Sequence, residues 1–368
     1  MVADQHRFTD FGSAQLETRI SRDLDRIADV AEDHLGQRFH TLVLGGGYGR
    51  GEGGGRQRNG VWEPYNDYDL FVVVKGFPAW QRSSVRAEIA ALGRSLEEEL
   101  GLEVELSAIR VEDLSTLPFT MMWCELAGGH HVVRGARDVL TTLPEMAPDK
   151  LPLFEGVHYL SNRAALILWS LVDDLGADRT WKFIHKAWLA IGAAALIGGG
   201  RFRVGYDQRL EALEDGLPEQ LEDIPMVLER YREAALARKQ PAPAPAAEVV
   251  EERRLEVTRA LLVCWRKLEE RRTGMVFSDF QGYVSAPQLF AEPWSARPMN
   301  FIRQIRLLGL AGLRPACAAG EHPRTRAIRA IPALLERRQS SPALTRLVGG
   351  GGDWLSTAQS CLDIWRRC

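Results

Sequence analysis

Apolar residues recur at helical spacing between Ser13 and Leu35, where Leu16, Ile20, Leu24, Ile27 and Val30 fall on one stripe, and the spacing predicts a helix there. The period then changes. Leu42-Val43-Leu44 is a short apolar run that enters a glycine-dense turn, Gly45-Gly46-Gly47-Tyr48-Gly49-Arg50-Gly51, and Leu70-Phe71-Val72-Val73-Val74 is a second run, entered from Asn66-Asp67-Tyr68-Asp69. Both read as strands. An amphipathic helix follows from Pro78 to Leu100, stopped by Gly101, and Leu102-Glu103-Val104-Glu105-Leu106 alternates as a half-buried strand does. Met121 to Leu126 and His131 to Arg134, joined across Gly128-Gly129, predict a hairpin. These elements make a small mixed sheet with helices on one face.

From about Leu151 the pattern is helix after helix: Val157 to Leu175, Thr180 to Ile197, Pro218 to Lys239, Glu248 to Arg272, Pro298 to Leu310, His322 to Arg338 and Asp353 to Arg367. Gln240-Pro241-Ala242-Pro243-Ala244-Pro245 is a semi-rigid connection of polyproline type. The expected organisation is an α+β domain over residues 1–150, a helical domain over 151–240 and a C-terminal helical region over 249–368.

The 368 residues are 45% hydrophobic and 26% charged, ordinary for a globular protein, and the formal net charge is −3. That balance excludes a broad basic surface for long nucleic acid, which needs many phosphate contacts. The five cysteines are scattered, without a Cys-x-x-Cys pair, so they form neither a disulfide framework nor a zinc site. The first residues lack an apolar signal core, and the longest apolar helical stretch, Trp188 to Ile197, is too short for a bilayer. No membrane partner is expected, and the cytoplasm is the expected compartment.

The chemistry is concentrated between Thr41 and Val74. Glycines in the turn leave backbone N–H groups open to phosphates and permit positive φ where the chain reverses. Side chains alternate along a strand, so Asp67 and Asp69 project together while Tyr68 points away. Two adjacent carboxylates repel unless a cation lies between them, which reads as a Mg²⁺ site, with Mn²⁺ as an alternative ion.

A glycine pair after an apolar strand, a spacer, then Asp-x-Asp entering a strand resembles the nucleotidyltransferase superfamily that includes DNA polymerase β. The wording Gly47-Tyr48-Gly49-Arg50-Gly51-Glu52, then Pro64, then Asn66-Asp67-Tyr68-Asp69-Leu70, is most similar to the transferase domain of bacterial nitrogen-regulatory uridylyltransferases. The resemblance covers the first third of the chain. The spacer is longer here by the segment around Gly53 to Glu63, whose Asn59-Gly60 predicts a hairpin, either a lid over a cleft or a surface insertion.

The resemblance implies further parts. A third carboxylate belongs on the neighbouring strand, where Glu105 is the first candidate and Glu103 shares its facing. Gly46, Gly47 and Tyr48 would lie against the triphosphate, and Arg50 would reach a phosphate oxygen or pair with Glu52. A helical domain over the palm would bring a lysine to the triphosphate. Lys182 and Lys186, two of only six lysines, share a helix face at i and i+4, with Arg163 and Tyr206 as weaker candidates.

The expected function is Mg²⁺-dependent transfer of a nucleoside monophosphate from an NTP, ATP or UTP foremost, to a hydroxyl acceptor, with Asp67, Asp69 and Glu105 as catalytic metal ligands. The acceptor stays open among small molecule, protein and nucleotide. The alternative is a non-catalytic protein that keeps the fold to bind a nucleotide or a partner. A kinase-like phosphotransferase fits less well, because no Lys-Ser/Thr follows the glycine turn and no His-Arg-Asp loop is present.

Overall fold

Ser13 begins the first helix. Its hydroxyl accepts the N–H of Leu16, and α1 then runs Ala14–Leu35 with Leu16, Ile20, Leu24 and Ile27 buried along one side. In the computed structural model of this chain, residues 7–286, 289–290, 293–309 and 320–368 are described; residues 1–6 of the N-terminal stretch and Cys317 lie outside them. Two compact units are present, one formed by residues 1–151, 200–212 and 232–242, the other by 152–199, 213–231 and 243–368. The fold class is α+β, a mixed sheet followed by a helical C-terminal part.

The first unit is built on a four-stranded sheet. After α1 come β1 (Phe39–Leu44), the one-turn helix α2 (Gly46–Gly49), a hairpin of β2 (Gly55–Arg58) and β3 (Val61–Pro64), and β4 (Tyr68–Val74). Then follow α3 (Arg82–Leu100), β5 (Val104–Arg110), α4 (Met121–Gly128) and β6 (His131–Gly135). The sheet order is β5-β4-β1-β6, with β1 antiparallel to both β4 and β6 and β4 parallel to β5. A parallel neighbour requires a crossover, and α3 is that crossover.

Alternation sorts the strand residues between two cores. Leu42, Leu44, Leu70, Val72, Val104 and Leu106 pack with α1 and α3. Val43, Phe71, Val73 and Ile109 face the other way, onto Leu114, Trp123, Leu126 and Leu140. The two long helices therefore share one face, and α4 with short 3₁₀ turns lies on the opposite one.

Residues Met121 to Leu126, expected as one arm of a hairpin, are the helix α4 instead. Thr120 caps it by accepting the N–H of Trp123, and Cys124 N–H returns to the carbonyl of Thr120 at 2.9 Å. Trp123 and Leu126, three apart, turn the same way into the core, a spacing that a strand cannot bury on one face. The strand β6 pairs with β1 in place of the expected arm.

The long spacer is a hairpin with Asn59 (φ 51°) and Gly60 (φ 79°) at its tip, the left-handed pair that a tight two-residue turn demands. It is seated on α1: Trp62 N–H donates to Gln15 Oε1 at 3.2 Å, and the Trp62 ring lies 5.1 Å from that of Phe11.

The second unit is helical. It holds α5 (Leu153–Val172) and α6 (Ala177–Gly198); α7 (Tyr206–Glu214) and α8 (Val227–Lys239) are each divided between the units. Next come α9 (Ala247–Thr273), α10 (Phe280–Ser285), α11 (Arg297–Leu308), α12 (Pro323–Arg337), α13 (Pro342–Val348) and α14 (Trp354–Arg367). α5, α6 and α9 pack on one another, and Leu160, Leu168, Trp188, Leu261 and Trp265 on these helices are essentially without exposure. Among the described residues, no helix is long and apolar enough to cross a membrane.

Candidate active site

The register of β4 on β5 sets Asp69 opposite Glu105. Opposed residues of paired strands share a face, and Asp67 shares it with Asp69 by the two-residue period. Tyr68 points the other way, into the core beneath α1, where its hydroxyl lies 3.2 Å from Asp23 Oδ2. As a result, carboxylate oxygens of Asp67, Asp69 and Glu105 all lie within 4.8 Å of one another. Glu103, the other acid of this segment, precedes the first residue of β5 and is not one of the group.

Three converging carboxylates strain one another electrostatically. Burial raises the Asp69 pKa, and the charges of Asp67 and Glu105 raise it further, to about 7, against the opposing pull of Arg238 and Arg50. The donor set is all oxygen and all hard, with no imidazole or thiolate, which suits Mg²⁺ or Mn²⁺ and argues against zinc. The residues therefore fit a divalent cation.

The glycine turn lies directly against these acids. Gly45 N–H donates to the carbonyl of Asp69 at 2.8 Å, and Gly46 has φ +58°. A Cβ on Gly46 would stand 1.9 Å from Asp69 Oδ2, so only glycine allows the turn to approach the carboxylate this closely. Tyr48 braces the arrangement from below, its ring filling the space that a Cβ on Gly53 would need.

Arg50 pairs with acids outside the carboxylate trio. It is buried, with Nε 3.0 Å from Glu52 Oε2 and Nη1 3.7 Å from Glu125 Oε2, so the pairing with Glu52 is made. Glu125 also meets the fully buried Arg209. Burial works against the charge of Glu125, but Arg209 and Arg50 outweigh it and hold the carboxyl below its ordinary range. Tyr206 sits among the guanidiniums, its ring centroid 4.4 Å from Arg238, 5.1 Å from Arg209 and 5.6 Å from Arg50. Its N–H donates to Glu52 Oε1 at 2.9 Å.

Arg238 is the component that sequence reasoning missed. It is the penultimate residue of α8, and its Nη2 lies 2.5 Å from where a Cβ on Gly47 would be. Its carbonyl accepts the Asn66 side-chain amide at 3.4 Å, beside Asp67. Nothing in the local sequence separates Arg238 from the other arginines, because its place is set by a contact with a segment 172 residues away. Glu125 and Arg209 were equally silent, 84 residues apart. Tyr206 was named from the sequence and lies in this cluster. Lys182 and Lys186 lie one turn apart on α6 in the second unit, and a role for them toward phosphate rests on the sequence alone.

No family model matches the chain, and no curated protein matches it. Among solved structures it is similar to spectinomycin adenyltransferase AAD(9) from Enterococcus faecialis, described with ATP and spectinomycin. That likeness has 12% identity and a TM-score of 0.40, and covers 66% of this chain and 98% of the other. It is too distant to carry a substrate across.

Proposed function

We propose that this chain transfers a nucleoside monophosphate from an NTP, ATP or UTP foremost, to a hydroxyl acceptor and releases pyrophosphate. The observation that carries the reading is the convergence of Asp67, Asp69 and Glu105 within 4.8 Å against a glycine turn that tolerates no side chain at Gly46. A protein that only bound a nucleotide would have no need to keep three mutually repelling acids at that point.

Asp67, Asp69 and Glu105 would hold Mg²⁺ or Mn²⁺, which would neutralise phosphate charge and lower the pKa of the acceptor hydroxyl. The chain's own contributions are distinct. Backbone N–H groups of Gly46 and Gly47 receive phosphate oxygens, and the guanidinium of Arg238 over Gly47 offers charge-assisted hydrogen bonds to the leaving pyrophosphate. Glu105, the most exposed of the three acids, orients the acceptor hydroxyl and takes its proton. Arg50 acts indirectly, holding the end of the glycine turn through Glu52 and Glu125.

The test is incubation of purified protein with each α-labelled NTP and Mg²⁺ or Mn²⁺, with and without cell extract. Label on a protein, a small molecule or an oligonucleotide identifies the acceptor class. Tight NTP binding with no pyrophosphate release under any of these conditions would overturn the reading in favour of a non-catalytic nucleotide-binding protein.

A further inference from the structure

Helix α11 carries its apolar side outward. Its buried residues are polar, Asn300 and Gln304, four apart and so on one face. They hold the helix to the second unit, where the Asn300 side-chain amide donates to the carbonyl of Gly320 at 3.1 Å, just ahead of α12. Phe301, Ile305 and Leu308, at i, i+4 and i+7, form an apolar stripe, with Ile302 and Met299 beyond it. A helix of a globular protein normally turns such a stripe toward the core. Here Phe301 and Ile302 are each 42% exposed and Met299 49%, and Trp294, three residues ahead of the helix, is 80% exposed.

Charge and area together decide what covers this face. Between Trp294 and Gly309 the chain has three arginines, Arg297, Arg303 and Arg306, and no acidic residue. By helical spacing Arg303 and Arg306, both exposed, flank the stripe on one side and Arg297 on the other. The Arg297 guanidinium lies 3.9 Å over the Trp294 ring. A helix of 12 residues is about 18 Å long and ~10 Å wide, so its face offers on the order of 180 Å², far below the ~800 Å² per partner of a stable protein interface. Two-fold pairing of two copies through it would also set arginines against arginines. Single-stranded nucleic acid stacks its bases on aromatic rings, whereas this stripe is mostly aliphatic. A bilayer needs no matching protein surface: apolar side chains enter the acyl boundary while arginines meet anionic headgroups.

We infer that α11, with Trp294, binds the surface of a bilayer that contains anionic phospholipid. The helix lies in the plane of the interface, with Met299, Phe301, Ile302 and Ile305 toward the acyl chains and Arg303 and Arg306 on the headgroup phosphates. The expectation of no membrane partner rested on the lack of a spanning segment, and an interfacial helix need not cross the hydrocarbon layer. Anchoring by one short helix is reversible and depends on lipid charge and salt. None of these residues belongs to the carboxylate trio or to the guanidinium cluster beside it, so bilayer binding and nucleotidyl transfer stand or fall separately.

The test floats the full chain with vesicles of phosphatidylcholine alone and with vesicles that add about 30% phosphatidylglycerol. Binding is expected to be at least about tenfold tighter to the anionic vesicles and to weaken as salt is raised. Phe301→Ser with Ile302→Ser is expected to lower that binding about tenfold or more, and Arg306→Gln about fivefold, with thermal unfolding unchanged because these side chains are exposed. Equal binding to both vesicle types, flotation with neither, or flotation that survives the paired serine substitution overturns the assignment. So does a dimer that the paired substitution dissociates while vesicles bind nothing, and so does capture of a single-stranded RNA oligonucleotide without vesicle binding. Should the paired variant unfold, Arg306→Gln decides alone: anionic-vesicle binding that it leaves unchanged overturns the assignment.

Discussion

Tyr48 accepts the backbone N–H of Asn66 at 3.3 Å, on the same phenolic oxygen that takes the N–H of Tyr65 at 3.0 Å and donates to the carbonyl of Gly54 at 2.6 Å. One hydroxyl thus ties the glycine turn to the residue before Asp67, so turn and carboxylates are positioned as a unit. Burial pushes the phenol well above its ordinary pKa, which keeps the donor proton in place.

Tyr48→Phe removes that tie and leaves a carbonyl and two N–H groups without it. The expected cost is about 1–3 kcal/mol in denaturant unfolding. If the hydroxyl also positions the acids, Mn²⁺ binding weakens with it. Unchanged stability and unchanged metal affinity together would show that the tie matters to neither.

Asp69 gives a pH dependence with a definite sign. Its folded-state pKa, about 7, lies above the ordinary 3.8, so its contribution to stability is fully present below about 4 and is lost as pH rises through 7. In chelator, wild type is expected to lose stability across that window. Asp69→Asn is expected to lack this part of the slope and to be inactive, and saturating Mg²⁺ should flatten the slope in wild type. The absence of any difference between wild type and the variant in chelator would remove the claim that the acids repel.

Gly46→Ala is expected to abolish transfer. Its Cβ would fall 1.9 Å from Asp69 Oδ2 at a φ of +58°, so either the turn or the carboxylate must move. The same change at Gly60, at φ +79° with open space around it, carries the backbone strain without the collision and is expected to leave turnover near wild type. Equal losses at both positions would point to strain alone.

Arg238→Ala is expected to weaken NTP binding equally for all four bases, by roughly 1.5–3 kcal/mol, as the loss of a charge-assisted hydrogen bond does. Monophosphate binding should barely change. The same titrations on Lys182→Ala and Lys186→Ala measure whether either lysine contributes. A base-selective loss at Arg238 would place it against the nucleobase and remove it from the phosphates.

Much of this was written in short-range pattern. The 3.6-residue stripe from Leu16 to Ile27 determined α1, because burial of one helix face depends only on spacing along the chain. The two-residue period placed Asp67 and Asp69 together and Tyr68 in the core, and it set Glu103 and Glu105 on one face. Which of those two acids joins the site was a matter of register, decided when β5 paired with β4 so that Glu105 came opposite Asp69. The apolar run from Met121 to Leu126 carried no decisive period, and the core beneath Phe71 and Leu140 selected helix. Of the guanidinium cluster, Arg50 with Glu52 and Tyr206 were legible in the sequence and the rest was not. Arg238, Arg209 and Glu125 meet across long stretches of chain, and a charge buried by a distant partner leaves no mark on its own neighbours in sequence. Local periodicity fixed which side chains share a face; only the folded chain decided which faces meet.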